Sequence, residues 1–489
     1  MACRMLSASV RVVNARTRLP FRFGMGTLTA LPHLLIEIQA EFGGERVRAV
    51  AAEGLVPKWF TKYAETTYTD DLVALLEVIQ KSLELGVELG EQESPFEFWQ
   101  ALYAQQGEWA QGTEHPPLLW NFGVTLVERA MIDGACRAAG VPFGWALRSR
   151  MLGVRPDALH PELSGVAWEG LLPEAPLREV ALRHTVGLAD PLTEADVAPG
   201  ERVLDGLPQT LEECIEAYGL THFKLKLCGD GPADLERLRR INRILEGQAT
   251  AAVITLDGNE QYPDLASFAS AWEEVRGDPD LDFLRAQTLF VEQPLPRGVA
   301  LSDSTARDLL AWADRPPMII DESDGEIHSA RLALEAGYVG TSHKNCKGVF
   351  KSVANACLLA QRRLNAPETT CILSSEDLTT LGPVALLQDL AVVANLGITH
   401  SERNGHHYFK GLSMFPAELQ EATVRAHPDL YRMHSGGFAT LRVDGGRLQI
   451  GSVADACFGS AVAFDAEIGV PLDKWTPDSL THPDTKTAL

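Results

Sequence analysis

Two lysines one residue apart, Lys224 and Lys226, sit in the short run His222-Phe223-Lys224-Leu225-Lys226-Leu227. On a β-strand alternate residues share a face, so Phe223, Leu225 and Leu227 point one way and both lysines the other. Two ammonium groups roughly 6–7 Å apart at their Cα atoms by strand rise repel one another, which costs stability unless the chemistry needs a lysine that can shed its proton. Similar apolar runs end at or beside Asp257, Glu292, Asp321 and Lys344. Alternation groups Asp257 with Thr255 and Val253, Glu292 with Phe290 and Thr288, and Asp321 with Ile319. The intervening Ile254, Leu256, Leu289, Val291 and Ile320 are left for an apolar outer face. Parity is less clean at Lys344, where Ser342 and His343 are both polar. Three carboxylates converging on one point repel unless a cation joins them. An all-oxygen set without His or Cys suits Mg²⁺ or Mn²⁺ rather than Zn²⁺.

The elements that must position these groups follow a regular order. Strand patterns fall at 179–186, 222–227, 253–257, 288–292, 318–321, 340–343, 370–374 and 398–400, with helical stretches between them. Eight strands alternating with helices predict an α/β fold with a closed parallel barrel, whose active site lies at the carboxyl ends of the strands. The charged residues fall at those ends. Their spacings, 31 residues from Lys226 to Asp257 and then 35, 29 and 23, each fit one strand–helix repeat, so they come from adjacent strands. Residues 1–150 read as an α+β domain, with strands at 10–19, 34–40 and 46–52 and helices at 70–89 and 124–139. Phe42-Gly43-Gly44-Glu45 supplies a hairpin turn, and 105–117 reads as a loop. The proline-rich stretch 151–177 reads as a linker or insertion, and 178–415 as the barrel. The tail, 416–489, regains hairpin character around Asp444-Gly445-Gly446 and is expected to pack back on the first domain.

Bulk properties narrow the function. The chain has 489 residues, room for a barrel plus a second domain, and a net charge of −23. That charge argues against nucleic acid or an anionic membrane as partner. No run of 18 apolar residues occurs, and no N-terminal stretch reads as a signal peptide. The eight cysteines are scattered with no CxxC pair and read as reduced packing residues of a cytoplasmic protein.

Each motif alone has a plainer reading. A single KxK is ordinarily a solvated strand face, and a single acid at a strand end ordinarily caps the next helix or closes a turn, as Asp257-Gly258-Asn259 could. Five consecutive repeats carrying a charge at one structural level argue otherwise. Together, Lys224-x-Lys226, Asp257-x-Asn259, Glu292-Gln293-Pro294, Asp321-Glu322-Ser323 and Lys344-x-x-Lys347-Gly348 resemble the signature of the enolase superfamily, most closely its muconate-lactonizing-enzyme group. Phe21-Arg22-Phe23-Gly24 resembles that family's first capping loop, and Glu128-Arg129-Ala130-Met131-Ile132-Asp133 the helix leading into its barrel. The resemblance implies an N-terminal α+β capping domain over a modified (β/α)7β TIM-like barrel with one Mg²⁺. It implies metal ligands Asp257, Glu292 and Asp321. Lys226 and Lys344 would be acid/bases on opposite faces of the substrate, with Lys224 helping to lower the pKa of Lys226. Asn259 and Glu322 would support the ligands, and Glu376 would act on substrate or orient Lys344. Phe21, Phe23, Trp59 and Lys62 would line the pocket from the cap. Two departures stand out: Lys347 is followed by Gly348-Val349 rather than a glycine pair, and 371–377 lacks the histidine of mandelate-racemase-type members.

The implied chemistry is removal of the proton next to a substrate carboxylate through an enediolate, giving racemisation or epimerisation, dehydration or cycloisomerisation. Two alternatives compete with it. One is a barrel that only binds a carboxylate ligand. The other is a retaining glycosidase using Glu292 and Glu376, which leaves the lysines and Asp257 unexplained. His406 and His407 read as part of a polar loop over the barrel mouth. The expected partner is a small carboxylate substrate. A homo-oligomer is compatible with the barrel, and the sequence fixes neither oligomeric state nor substrate.

Overall fold

The computed structural model describes residues 1–24, 26–248, 252–464 and 467–480. The chain opens with three long antiparallel strands, β1 (Cys3–Phe23), β2 (Gly26–Phe42) and β3 (Glu45–Gly54), the last two joined at Gly43 and Gly44 with Phe42 opposite Glu45. Both turn glycines have positive φ (58° and 90°), which a tight two-residue hairpin requires. Three helices, α1 (Tyr68–Glu88), α2 (Pro95–Ala110) and α3 (Pro117–Ala139), pack on this sheet. Thr67 and Asp70 form a reciprocal capping box on α1, and Ser94 caps α2 ahead of Pro95. Much of the stretch read as a loop, 105–117, is therefore the second half of α2. Its start signal is local, Ser94-Pro95-Phe96-Glu97, with Phe96, Phe98, Trp99 and Leu102 buried at helical spacing.

The second domain is a ring of eight parallel strands: β4 (Glu179–Val186), β5 (His222–Lys226), β6 (Val253–Asp257), β7 (Thr288–Glu292), β8 (Met318–Ile320), β9 (Gly340–His343), β10 (Ile372–Ser375) and β11 (His400–Arg403). Closure is direct: β11 pairs in parallel with β4, Arg403 opposite His184. Helices lie between every successive pair of strands, giving a (β/α)7β barrel beside an antiparallel capping sheet. The capping domain grips the barrel through buried polar contacts. The Glu128 carboxylate accepts from Val349 N (3.0 Å) and Phe350 N (2.7 Å), capping the helix Val349–Asn365. Asn121 and Thr125 donate to the carbonyls of Lys347 and Cys346.

Residues 151–177 form three short 3-10 turns rather than an extended link, and His160 from this stretch contacts Asn355 at 2.8 Å. The tail divides. β12 (Tyr431–Met433) pairs with β13 (Ala439–Leu441), while β14 (Arg447–Gln449) joins the barrel sheet antiparallel to β4. The hairpin expected around Asp444-Gly445-Gly446 thus shrinks to a single bridge between Asp444 and Arg447, because the barrel's β4 competes for β14. The end of the tail returns to the cap: β15 (Val470–Pro471) pairs with β1, Trp475 Nε1 donates to Asn14 Oδ1, and Asn14 Nδ2 donates to Ser479, while upstream Phe143 N donates to the Cys457 carbonyl. Among the described residues no helix is long and apolar enough to cross a membrane.

Candidate active site

Strand alternation delivers the charged residues to the barrel mouth. Lys224 and Lys226 leave β5 inward, opposite Thr255 and Asp257 of β6, and Asp257 lies opposite Glu292 of β7. Asp321 follows β8, and Lys344 follows β9. All are buried. Gly258 lets the β6–β7 loop turn here, because a Cβ on it would stand 2.6 Å from Pro294 Cα. The turn brings Asn259 back over the strand ends. Its backbone N–H donates to Asp257 Oδ1 (2.8 Å), its Oδ1 accepts from Lys226 Nζ (2.8 Å), and its Nδ2 donates to Glu322 Oε1 (3.2 Å).

Acids and ammonium groups are interleaved. Lys224 Nζ contacts Asp257 (3.0 Å), Glu292 (2.7 Å), Glu376 (2.6 Å) and Glu402 (2.9 Å). Lys226 lies 2.5 Å from Asp257. Lys344 reaches Asp321 at 2.6 Å, and Lys347 donates to Asp321 Oδ1 (3.1 Å) and Ser342 Oγ (2.6 Å). Burial by itself would lower Lys224, but its four carboxylates outweigh that and hold the ammonium well above its ordinary pKa. Lys344 is likewise raised against burial, chiefly by Asp321. Lys224 is thus a charged counterion to the acids.

Glu292 is the exception among these acids. Burial, then Asp257 and Glu376, push its carboxyl well above the usual range, and neither oxygen accepts a hydrogen bond. Its charged neighbour is the Lys224 ammonium at 2.7 Å, shared with Asp257, Glu376 and Glu402. With Asp257 and Asp321, Glu292 forms an all-oxygen set of the chemistry a hard divalent ion such as Mg²⁺ takes, although the three carboxylates, each against a lysine ammonium, are not drawn within 4.8 Å of one another.

Glu376 does not orient Lys344. It is enclosed by Arg183 of β4, Ser374 and Lys224, and the two cations hold it ionised against burial. Lys224 contacts both Glu292 (2.7 Å) and Glu376 (2.6 Å), and a retaining glycosidase gives no role to an ammonium shared by its two carboxylates. The cavity at the mouth is roofed by Phe21, Phe23 and Trp59 of the cap and floored by Lys224, Lys226, Lys344, Asn259 and Glu402. Phe21 and Phe23 project from β1 itself rather than from a loop. Trp59 lies with its ring centroid 4.2 Å from Lys344 Nζ, and Arg297 fixes it by donating to the carbonyls of Trp59 and Phe60. Lys62 is not among the lining residues. It ties the cap to the strand-end loops through Glu260 (2.7 Å), Glu322 (3.5 Å) and the Asn259 carbonyl (2.6 Å).

Arg183 and Glu402 are site residues that sequence patterning misses. The eighth strand reads as ending at His400, but it begins there, so Ser401-Glu402-Arg403 is strand. Such a polar run carries no apolar alternation. Glu402 accepts from Thr185 Oγ1 (2.6 Å) and Asp377 N (2.9 Å) besides Lys224.

No protein-family profile matches the chain. A 95-residue stretch is 39% identical to an L-Lys-D/L-Arg epimerase of Methylococcus capsulatus, covering 18% of this chain and 22% of that enzyme. The chain thus spans about a fifth of the curated relative it matches. Solved structures align over nearly the whole chain. A mandelate racemase/muconate lactonizing protein from Herpetosiphon aurantiacus superposes with a TM-score of 0.56 at 16% identity, covering 94% of this chain and 99% of that one. A dipeptide epimerase from Enterococcus faecalis, solved with Mg and the dipeptide L-Leu-L-Tyr, gives 0.57 at 15% identity over 93% and 99%. The fold is that of the mandelate racemase/muconate lactonizing enzymes.

Proposed function

We propose that this chain, folded as the mandelate racemase/muconate lactonizing enzymes are, is a divalent-metal-dependent isomerase or lyase of the enolase superfamily. In this reading it removes the proton next to a substrate carboxylate. The observation that carries it is the placement of Lys226 and Lys344. They come from strands four apart in an eight-strand ring, hence from opposite sides, and they line one cavity. A substrate held between them has a proton donor or acceptor on each face. Loss of the proton to one lysine and its return from the other to the same carbon inverts that carbon. Departure of a β-substituent instead gives elimination.

Asp257, Glu292 and Asp321 would hold Mg²⁺. When bound, the ion supplies positive charge to the substrate carboxylate, whose charge grows as the α-proton leaves, and relieves the lysines of balancing the three acids. Asn259 orients Lys226 through the 2.8 Å contact. Trp59 covers Lys344 and, with Phe21 and Phe23, excludes water. Glu402 faces the cavity and can bind a substrate polar group.

The test is α-proton exchange in D₂O with Mg²⁺ over a panel of acid sugars, N-acylamino acids, dipeptides and lactones. The expected result is exchange of one class by the wild type and none by Lys226→Ala of unchanged fold. Undiminished exchange in that variant would sink the assignment.

A further inference from the structure

At the seam where the barrel closes, three elements bring a nitrogen–sulfur cluster together away from the lysines. His184 is on β4, Cys214 on the helix Leu211–Tyr218, and His407 in the short turn of helix after β11. All three are buried, and each offers a ligand atom within 4.8 Å of the other two. Among the described residues no other group of three His, Cys, Asp or Glu side chains is gathered this way. Cys214 Sγ lies 3.5 Å from His407 Nδ1. A tetrahedral ion bonded to sulfur at about 2.3 Å and to nitrogen at about 2.0–2.1 Å sets those atoms about 3.5 Å apart.

The surroundings fit the same purpose. The far nitrogen of His407, Nε2, points toward Asp190 Oδ2 at 3.8 Å, and it accepts and donates no hydrogen bond. Asp190 is itself fixed by Tyr408 Oη (2.5 Å) and Gly187 N (2.6 Å). A carboxylate behind a ligating imidazole is the usual outer partner of a metal-bound histidine. His406 Nε2 meets His184 Nδ1 at 3.0 Å and leaves its own Nδ1 buried without a partner.

We propose that His184, Cys214 and His407 form a second metal site, one that takes Zn²⁺ and pins the first strand, its following helix and the segment after the last strand together. Nitrogen and thiolate donors select Zn²⁺ over the Mg²⁺ suited to the carboxylates at the barrel mouth, so the two sites are chemically distinct.

The test uses the full chain, either grown in zinc-supplemented medium or refolded with Zn²⁺, then dialysed into Mg²⁺ buffer. Elemental analysis should find one Zn²⁺ per chain, falling at least tenfold in Cys214→Ser and His407→Ala. Protein refolded with Co²⁺ should show a thiolate-to-cobalt charge-transfer band that Cys214→Ser lacks. Either preparation retaining stoichiometric zinc supports the site; absence of zinc from both overturns it, as does undiminished zinc in the variants. If the variants do not fold, the wild-type cobalt spectrum decides: the band supports the site, and its absence at saturating Co²⁺ overturns it.

Discussion

Lys224 Nζ stands 2.9 Å from Glu402 Oε2, joining the second and eighth strands of the ring across the first strand between them. The same ammonium touches Asp257, Glu292 and Glu376, so one buried cation contacts four buried acids, with Lys226 also on Asp257 and Arg183 on Glu376. Removing one partner from such a set leaves uncompensated charge, at a cost of about 3–5 kcal/mol. Lys224→Met should therefore melt well below wild type in EDTA. Saturating Mg²⁺ should narrow the gap, because a divalent ion on Asp257, Glu292 and Asp321 replaces the lost charge. Thermal unfolding with and without Mg²⁺ checks this. Equal melting temperatures in EDTA would show that Lys224 is not the counterion.

Lys226 and Lys344 separate by stereochemistry. Each is held by one acid, Asp257 or Asp321, that keeps a second lysine after substitution, Lys224 or Lys347. Lys226→Gln and Lys344→Gln should thus fold. Each should lose about 10²–10⁴ in exchange rate, the usual share of a positioned acid or base. On a chiral substrate the two should fail on opposite enantiomers, read by NMR in D₂O. Loss of the same enantiomer in both would place the lysines on one face.

Much of this arrangement is legible in the sequence because strand alternation is a strict rule. Ile254 and Leu256 outward force Asp257 inward, and the same parity holds for Glu292. Where alternation fails, so does the reading. Ser401, Glu402 and Arg403 form a strand whose neighbours in the ring supply its order, and no apolar pattern marks it. Arg183 lies in a strand that is readable, but its role depends on Glu376 arriving from β10's end, nearly two hundred residues away. The charge state of Lys224 escapes the sequence for a related reason. Repulsion between the lysines is a two-residue property, while the four carboxylates that overcome it come from four other strands.

Divalent-ion binding should centre on Glu292. Its charged contact is Lys224 at 2.7 Å, and Glu292→Gln removes ligand charge while Lys224 keeps Asp257, Glu376 and Glu402. Isothermal titration should show one Mg²⁺ per wild-type chain and at least tenfold weaker binding in the variant. The wild type should also gain stability with Mg²⁺, by about 2.7 kcal/mol at a hundredfold excess over Kd. Unchanged affinity in the variant would move the ion elsewhere.

Stability should also carry a pH signature from the capping domain. Glu53, at the end of β3, is buried against Arg129 Nη1 at 3.1 Å. Burial pushes its carboxyl up to about 7 despite the guanidinium, and Asp389 and Asp377 add to the rise. A raised acid binds its proton more tightly in the folded state than in the unfolded one. Its contribution is therefore fully present below the unfolded value of about 4.5 and is lost as pH climbs to about 7. A rise of that size is worth about 3 kcal/mol. Glu53→Gln cannot ionise and lacks this contribution. The melting temperature of wild type minus that of Glu53→Gln should fall steadily from pH 5 to 7 and level off above. A difference that stays flat across that window would show that Glu53 is ionised in the folded protein throughout, held by Arg129 against its burial.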